Sequence, residues 1–320
     1  LCRVGVLTAW TLLLYLAPAH LMCGQAWIPR KGEGSVAVVY QNVAIVDHLN
    51  GDGSRFDGGQ VQAHGVLTYA EYGLRSNLAL NLSLPYIASS YHGDKPHQLP
   101  IDNGDYHSTF QDFGIGLRYS FGAHGFAITP FIAGVVPSHG YEFFAHSAVG
   151  NRVPELRLGA YVGRQLAPRL PKAYFQVRYS YGITKRVDGV RPNHSNFDSE
   201  FGYFVTRRLA IRALEGFQVS HDGLNSPQDF PSRTDYRWRH HDQTLRVNFL
   251  NLGGGVSVAV SKSVDVFASV VTTVWGENGH ALQRGLSVGV NWNFRSRRAE
   301  SQVASQELHR VVTQTHTHSH

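Results

Sequence analysis

Apolar and polar residues alternate with a period of two along most of this chain. In Asn77–Tyr86, "NLALNLSLPY", leucine stands at 78, 80, 82 and 84, with Asn77, Ala79, Asn81 and Ser83 between them. In "FGIGLRYSF", Phe113, Ile115, Leu117, Tyr119 and Phe121 fall on one side and Gly114, Gly116, Arg118 and Ser120 on the other. The runs "LRLGAYVG", "FQVRYSY", "FDSEFGYFV" and "LSVGVNWNF" behave alike. Successive side chains of a strand point to opposite faces, so this period predicts strands rather than helices. Twelve are expected, at 35–46, 60–72, 77–88, 110–121, 126–137, 155–166, 172–183, 195–205, 209–219, 242–260, 264–275 and 281–294. In the second, Val61, Ala63, Leu67 and Tyr69 oppose Gln62, His64 and Thr68, which assigns the polar set to a watery interior. Strands one, five and eleven do not reveal their apolar face. The tenth is too long and changes phase at Leu250–Gly255, which predicts a bulge, and Glu215 interrupts the apolar face of the ninth.

The connections separate a membrane barrel from a soluble sandwich. Short ones at 73–76, 122–125, 167–171, 206–208 and 261–263 alternate with long ones at 47–59, 89–109, 138–154, 184–194 and 220–241, and a modest sixth lies near 276–280. Up-and-down outer-membrane barrels have short periplasmic turns and longer external loops. An even strand count returns both ends of the barrel to the periplasm. In lipid every backbone polar group must be paired, and only a closed ring of strands achieves that. The expected fold is therefore all-β: a transmembrane antiparallel up-and-down β-barrel of about 12 strands, preceded by a signal peptide, with the four leucines touching lipid. Tyr69, Tyr72, Tyr86, Phe110, Tyr181, Trp275, Trp292 and Phe294 lie near strand ends, as interfacial aromatic girdles do.

Composition agrees. Hydrophobic residues make up 42% of the 320, and no run after residue 25 approaches the ~18 apolar residues of a membrane helix. At the N-terminus Arg3 precedes the apolar run Val4–Ala17, then Pro18 and small residues, the layout of a secretory leader. Cleavage fits after Ala19 or after Ala26, the second preferred, giving a leader 1–26, a barrel 27–294 and a polar tail 295–320. Both cysteines, Cys2 and Cys23, fall in the leader, so the exported barrel has no disulfide. The net charge of +6 forms no basic stripe and no nucleic-acid partner is expected. The expected location is the bacterial outer membrane. The expected partners are its lipids and lipopolysaccharide, the barrel-assembly machinery and a small hydrophobic solute.

The run "TYAEYGLRSNLALNLSLPYI", with its E-Y-G-L turn and L-P-Y strand end, resembles the outer-membrane transporter family associated with the meta pathway of phenol degradation. "FQDFGIGLRYSF" and "TPFIAGVVPSHGYE" are similar to its following strands, although the loop reads Pro137-Ser138-His139-Gly140 rather than Pro-Thr-Gly. The resemblance covers residues 60–165 and elsewhere extends only to layout. It implies a transporter of aromatic or other hydrophobic compounds. The "SVGVNWNF" ending is similar to the assembly signal of barrel proteins, although here further residues follow it.

The candidate solute pathway comprises Gln62, His64, Asn81, Asp112, Arg118, Arg157, Arg178, Asp198, Glu200, Arg212 and Arg246, joined by Asn77, Gln176 and Asn248. Such residues either pair into a structural network or form a polar, slightly anion-favouring constriction, since arginines outnumber carboxylates. A twelve-strand ring is narrow enough to be plugged by its own loops. Of 18 histidines, eleven lie in the expected external connections, and no pair has the local spacing of a zinc site. His316, His318 and His320 alternate in the tail and are weak metal candidates; otherwise no metal and no cofactor is expected. Enzyme chemistry is not expected. The chain lacks the His-x-Ser of outer-membrane lipid hydrolases, and His194-Ser195, His107-Ser108 and His146-Ser147 are adjacent pairs whose side chains diverge on a strand. A lipid hydrolase and a non-transporting surface barrel remain the alternatives to a transporter.

Overall fold

The computed structural model describes residues 26–230, 232 and 234–296. The rest of the expected leader, and most of the tail with His316, His318 and His320, lie outside the described residues. The chain forms twelve antiparallel strands. These are β1 (Glu33–Leu49), β2 (Arg55–Arg75), β3 (Leu78–His92), β4 in three pieces (His107–Phe110, Asp112–Tyr119, Phe121–Ala123), β5 (Phe126–Pro137), β6 (Glu155–Gln165), β7 (Ala173–Thr184), β8 (His194–Phe204), β9 (Leu209–Ser220), β10 (Asn248–Ala259), β11 (Val264–Glu277) and β12 (Gly279–Arg295). Each pairs with the next, and β1 zips to β12 from Glu33↔Arg295 to Leu49↔Gly279. The ring is closed and leaves no edge.

All twelve expected strands are present. β10 is shorter than expected because residues 241–244 form a helical turn (α1, His241–Thr244) after a 3₁₀ turn (Tyr236–His240). The phase change in β10 is a register shift at Leu250/Asn251 against β11. At one end of the barrel the turns are short. At the other, connections 93–106, 138–154, 185–193 and 221–247 are long, while β1–β2 closes with residues 50–54 and β11–β12 with Asn278 alone, at φ 52°. These two hairpins are tight because their strands run on past the barrel wall: β2 alone has 21 residues.

The outer surface is apolar. Leu82 and Leu84 are 43% and 39% exposed, and Ile115, Ile132, Leu158, Ile211, Val256, Val270 and Val290 join them in a continuous belt. In water such a surface would aggregate; in lipid it is the solvated face. Tyr72, Tyr119, Tyr203 and Trp292 edge the belt at the short-turn end, and Tyr86, Phe110 and Trp275 at the long-loop end. Glu215 does point outward, where it accepts a 2.7 Å hydrogen bond from Ser199 of β8.

Three expectations are corrected. Cross-strand partners share a face, and His64 and Gln62 pair with Asn42 and Ala44 on the outward side of β1. Val61, Ala63 and Leu67 face the interior instead, packed with Val43, Ile45 and Ile87 or with Val39 and Phe267. β2 mixes the apolar Val66 and Tyr72 with Gln62, His64 and Thr68 on its outward face while its inward face is apolar too, so polarity misassigned it. Tyr69 likewise packs inside rather than in the girdle. Arg246 precedes β10, lies in the 221–247 connection and is exposed.

Candidate solute pathway and its plug

The interior divides by height. Toward the short-turn end lies a cavity of about 910 Å³, lined by Asn81, Arg118, Arg157 and Arg178 of the expected pathway, with Tyr69, Glu71, Phe131, Tyr161, Tyr174 and Phe204. Asp112, Asp198, Glu200 and Arg212 also point inward but lie outside this lining. Trp27, Ile28 and Pro29 line the cavity, and Ala26 beside them is fully buried, donates its N–H to Gln176 Oε1 at 3.1 Å and accepts from Thr129 Oγ1 at 2.7 Å.

The charges are paired. Arg118 meets Glu71 at 2.5 Å, Arg178 meets Asp198 at 2.5 Å, and Arg157 grips Glu155 with two bonds of 2.8 and 2.7 Å. Arg212 approaches Glu200 at 3.5 Å, and Tyr174 donates to the same carboxylate at 2.5 Å. The Arg118 guanidinium also sits 4.8 Å from the Tyr161 ring centroid. Glu71 and Glu155 were missed as pathway residues. With Arg246 outside, they remove the arginine excess that suggested anion preference. Their signal was present: Glu71 shares a strand face with Tyr69, and Glu155 is two residues from Arg157. His194 faces inward too, 3.2 Å from Glu155. Gly182 makes room for that pair, since a Cβ there would lie 2.2 Å from Glu155 Oε1.

Above the cavity, connections 93–106, 138–154 and 221–247 fold into the mouth. Asp102 is buried and anchors the first two of them. Its carboxylate accepts from the N–H groups of His97 (2.8 Å), His146 (3.0 Å) and Ser147 (2.9 Å), and from Ser147 Oγ (2.9 Å). Gln243 donates to Asn151 O at 2.6 Å, joining the last two connections. Tyr141 donates to Asp112 at 2.5 Å, and burial pushes its hydroxyl well above an ordinary phenol, keeping it a donor. Tyr91, Val149 and Tyr141 pack on Val43, Val61 and Ile87, while Phe230, Trp238, Leu245 and Val247 form a second apolar cluster. The plug is thus dry as well as hydrogen-bonded. Outside the wall, Tyr106 holds Gln62 and His64 (3.3 and 3.1 Å), which places those two in an exterior polar cluster near the long-loop rim.

His194 and Ser195 diverge as adjacent strand residues must. Ser195 faces outward, with its Oγ 2.8 Å from His221 Nε2 and 3.1 Å from the Tyr179 hydroxyl. Among the described residues no carboxylate is hydrogen-bonded to His221.

A closed twelve-stranded ring with an apolar outer belt and a polar, partly filled interior defines an outer-membrane β-barrel, and the chain resides in the bacterial outer membrane. No family profile and no curated protein sequence matches the chain. Among solved structures it is similar to an outer-membrane channel from Pseudomonas putida F1, with a TM-score of 0.66 and 13% identity, covering 85% of this chain and 99% of that one. It is more loosely similar to the NanC porin (TM-score 0.45, 9% identity, 81% and 98% covered) and to the β domain of the Bordetella autotransporter BrkA (0.47, 14%, 82% and 100%). What the first shares with this chain is the fold.

Proposed function

We propose that the barrel passes small hydrophobic or aromatic solutes, of the kind met in phenol degradation, across the outer membrane. The cavity supports this reading. Its 910 Å³ is of a size that holds one small organic molecule. Rings of Phe131 and Tyr161 offer stacking surfaces, and the guanidinium groups of Arg118 and Arg178 can donate to a phenolic oxygen or carboxylate. The likeness to a protein described as an outer-membrane channel is in keeping with it. Passage requires the plug to shift, and no covalent step is involved. The test is uptake of phenol and of an aliphatic alcohol of similar size by a deletion strain with and without this chain. Faster uptake of the phenol alone supports the reading; equal rates in the two strains reject it.

A second reading, lipid hydrolysis, is favoured by the outward Ser195–His221 pair at the long-loop rim of the wall. The absence of an acid on His221 weakens it, because an imidazole base needs orienting. Ser195→Ala that abolishes deacylation of outer-membrane lipid would establish it; no lipid hydrolysis by the intact protein would remove it.

A further inference from the structure

We propose that the plug holds one divalent first-row transition ion, of the zinc class, ligated by His97, His241 and Asp242. The three residues offer ligand atoms that all lie within 4.8 Å of one another. They come from two connections, His97 from 93–106 and the other two from α1, so local spacing could not reveal them. Zinc bonds of about 2.0–2.1 Å bring tetrahedral ligands about 3.3–3.5 Å apart. His241 Nε2 and Asp242 Oδ1 already stand at 3.4 Å, and His97 needs to close by at most about 1.5 Å.

The surroundings suit a ligand set. The Nδ1 of His241 donates to the Trp238 carbonyl, which fixes the tautomer with Nε2 facing the other two groups. Metal-bound histidines have this support, which also sets the ring's orientation. Trp238 stacks on the His241 ring at 4.2 Å and 8°, and Phe230 and Phe144 close the sides. His241 and Asp242 are 0% and 4% exposed. A carboxylate in so dry a place is stabilised by a dication, and two imidazoles with one carboxylate favour zinc over magnesium or calcium. His146, whose ring centroid is 3.8 Å from that of His97, stands beside the set. The ion would staple two of the three plugging connections together. This inference is independent of which solute the barrel carries.

The test uses the full chain purified in detergent, with His309, His316, His318 and His320 replaced by alanine so that the tail contributes no imidazole. Zinc chloride is titrated against a chromogenic chelator. One tight equivalent is expected. His97→Ala, His241→Ala and Asp242→Asn should each weaken it by more than the about 10–100-fold that losing a supporting residue costs. His280→Ala, in the same histidine-rich region but outside the set, should leave it unchanged. Hydrogen exchange of the tail-substituted chain gives a second readout needing no further variant: zinc should slow exchange in 93–106 and 221–247 and nowhere else. Absence of a tight equivalent, equal binding by the three ligand variants, or unchanged exchange in both connections would overturn the proposal.

Discussion

The two ends of the barrel interior solve the same problem differently. The long-loop end is filled: Asp102 gathers amide donors from two connections, and apolar side chains exclude water around them. The short-turn end is hollow, and its wall is kept in order by ion pairs that cross from strand to strand, such as Arg118–Glu71 and Arg178–Asp198. A closed barrel wall supports either arrangement because its own hydrogen bonds do not depend on what fills it. The lesson is that the plug of this molecule is built by the connections and its cavity by the wall, so the two should respond separately to mutation.

The largest effects should come from single changes within each region. Trp238→Ala removes the ring that backs α1 and should cost about 3–5 kcal/mol of plug stability. Hydrogen exchange in 221–247 should accelerate while exchange in the strands stays as it was; an even acceleration throughout would break the separation. Arg118→Ala leaves Glu71 buried without its partner and should cost about 3–5 kcal/mol. Urea unfolding of the refolded barrel measures this, with the plug's exchange unaltered. The replacement of both by Leu and Met should restore most of the loss, since the penalty belongs to the stranded charge.

Smaller effects sharpen the contrast of height along the outer wall. Leu82→Arg in the belt should cost about 2–4 kcal/mol, against about 0–1 kcal/mol for Gln62→Arg, near the long-loop rim. Equal costs by urea unfolding in lipid would mean that the belt is placed wrongly. Smallest is Gly163→Ala. Its Cβ would lie 2.9 and 3.1 Å from two atoms of the Trp27 ring, a clash of about 1–3 kcal/mol that the N-terminal segment can relieve by leaving the cavity. Faster solute flux with an unchanged plug is the expected result, read in liposomes.

Much of the wall was legible. Where one face of a strand meets lipid and the other meets water, as in β3 and the middle of β4, alternation identifies both the strand and its facing. The leucines of "NLALNLSLPY" show it. Where the inner face is dry, the same rule fails. β1 and β2 bury Val43 and Val61 against the plug and Val39 and Leu67 against Phe267, so polarity no longer tells inside from outside, and His64 was placed in the lumen it turns away from. Four of the expected arginines do line the interior, but their partners Glu71 and Glu155 needed the pairing of strands to be found.

The sequence by itself determined twelve strands, most of their boundaries and the need for closure, because these depend on a local period and on the cost of an unpaired backbone in lipid. Only the tertiary structure decided what occupies the ring. The positions of Asp102, His97 and His241 depend on connections far apart in the chain packing against each other inside a cylinder. No spacing along one strand encodes a contact between two loops; it exists only once the wall has closed and forced them to share the same small mouth.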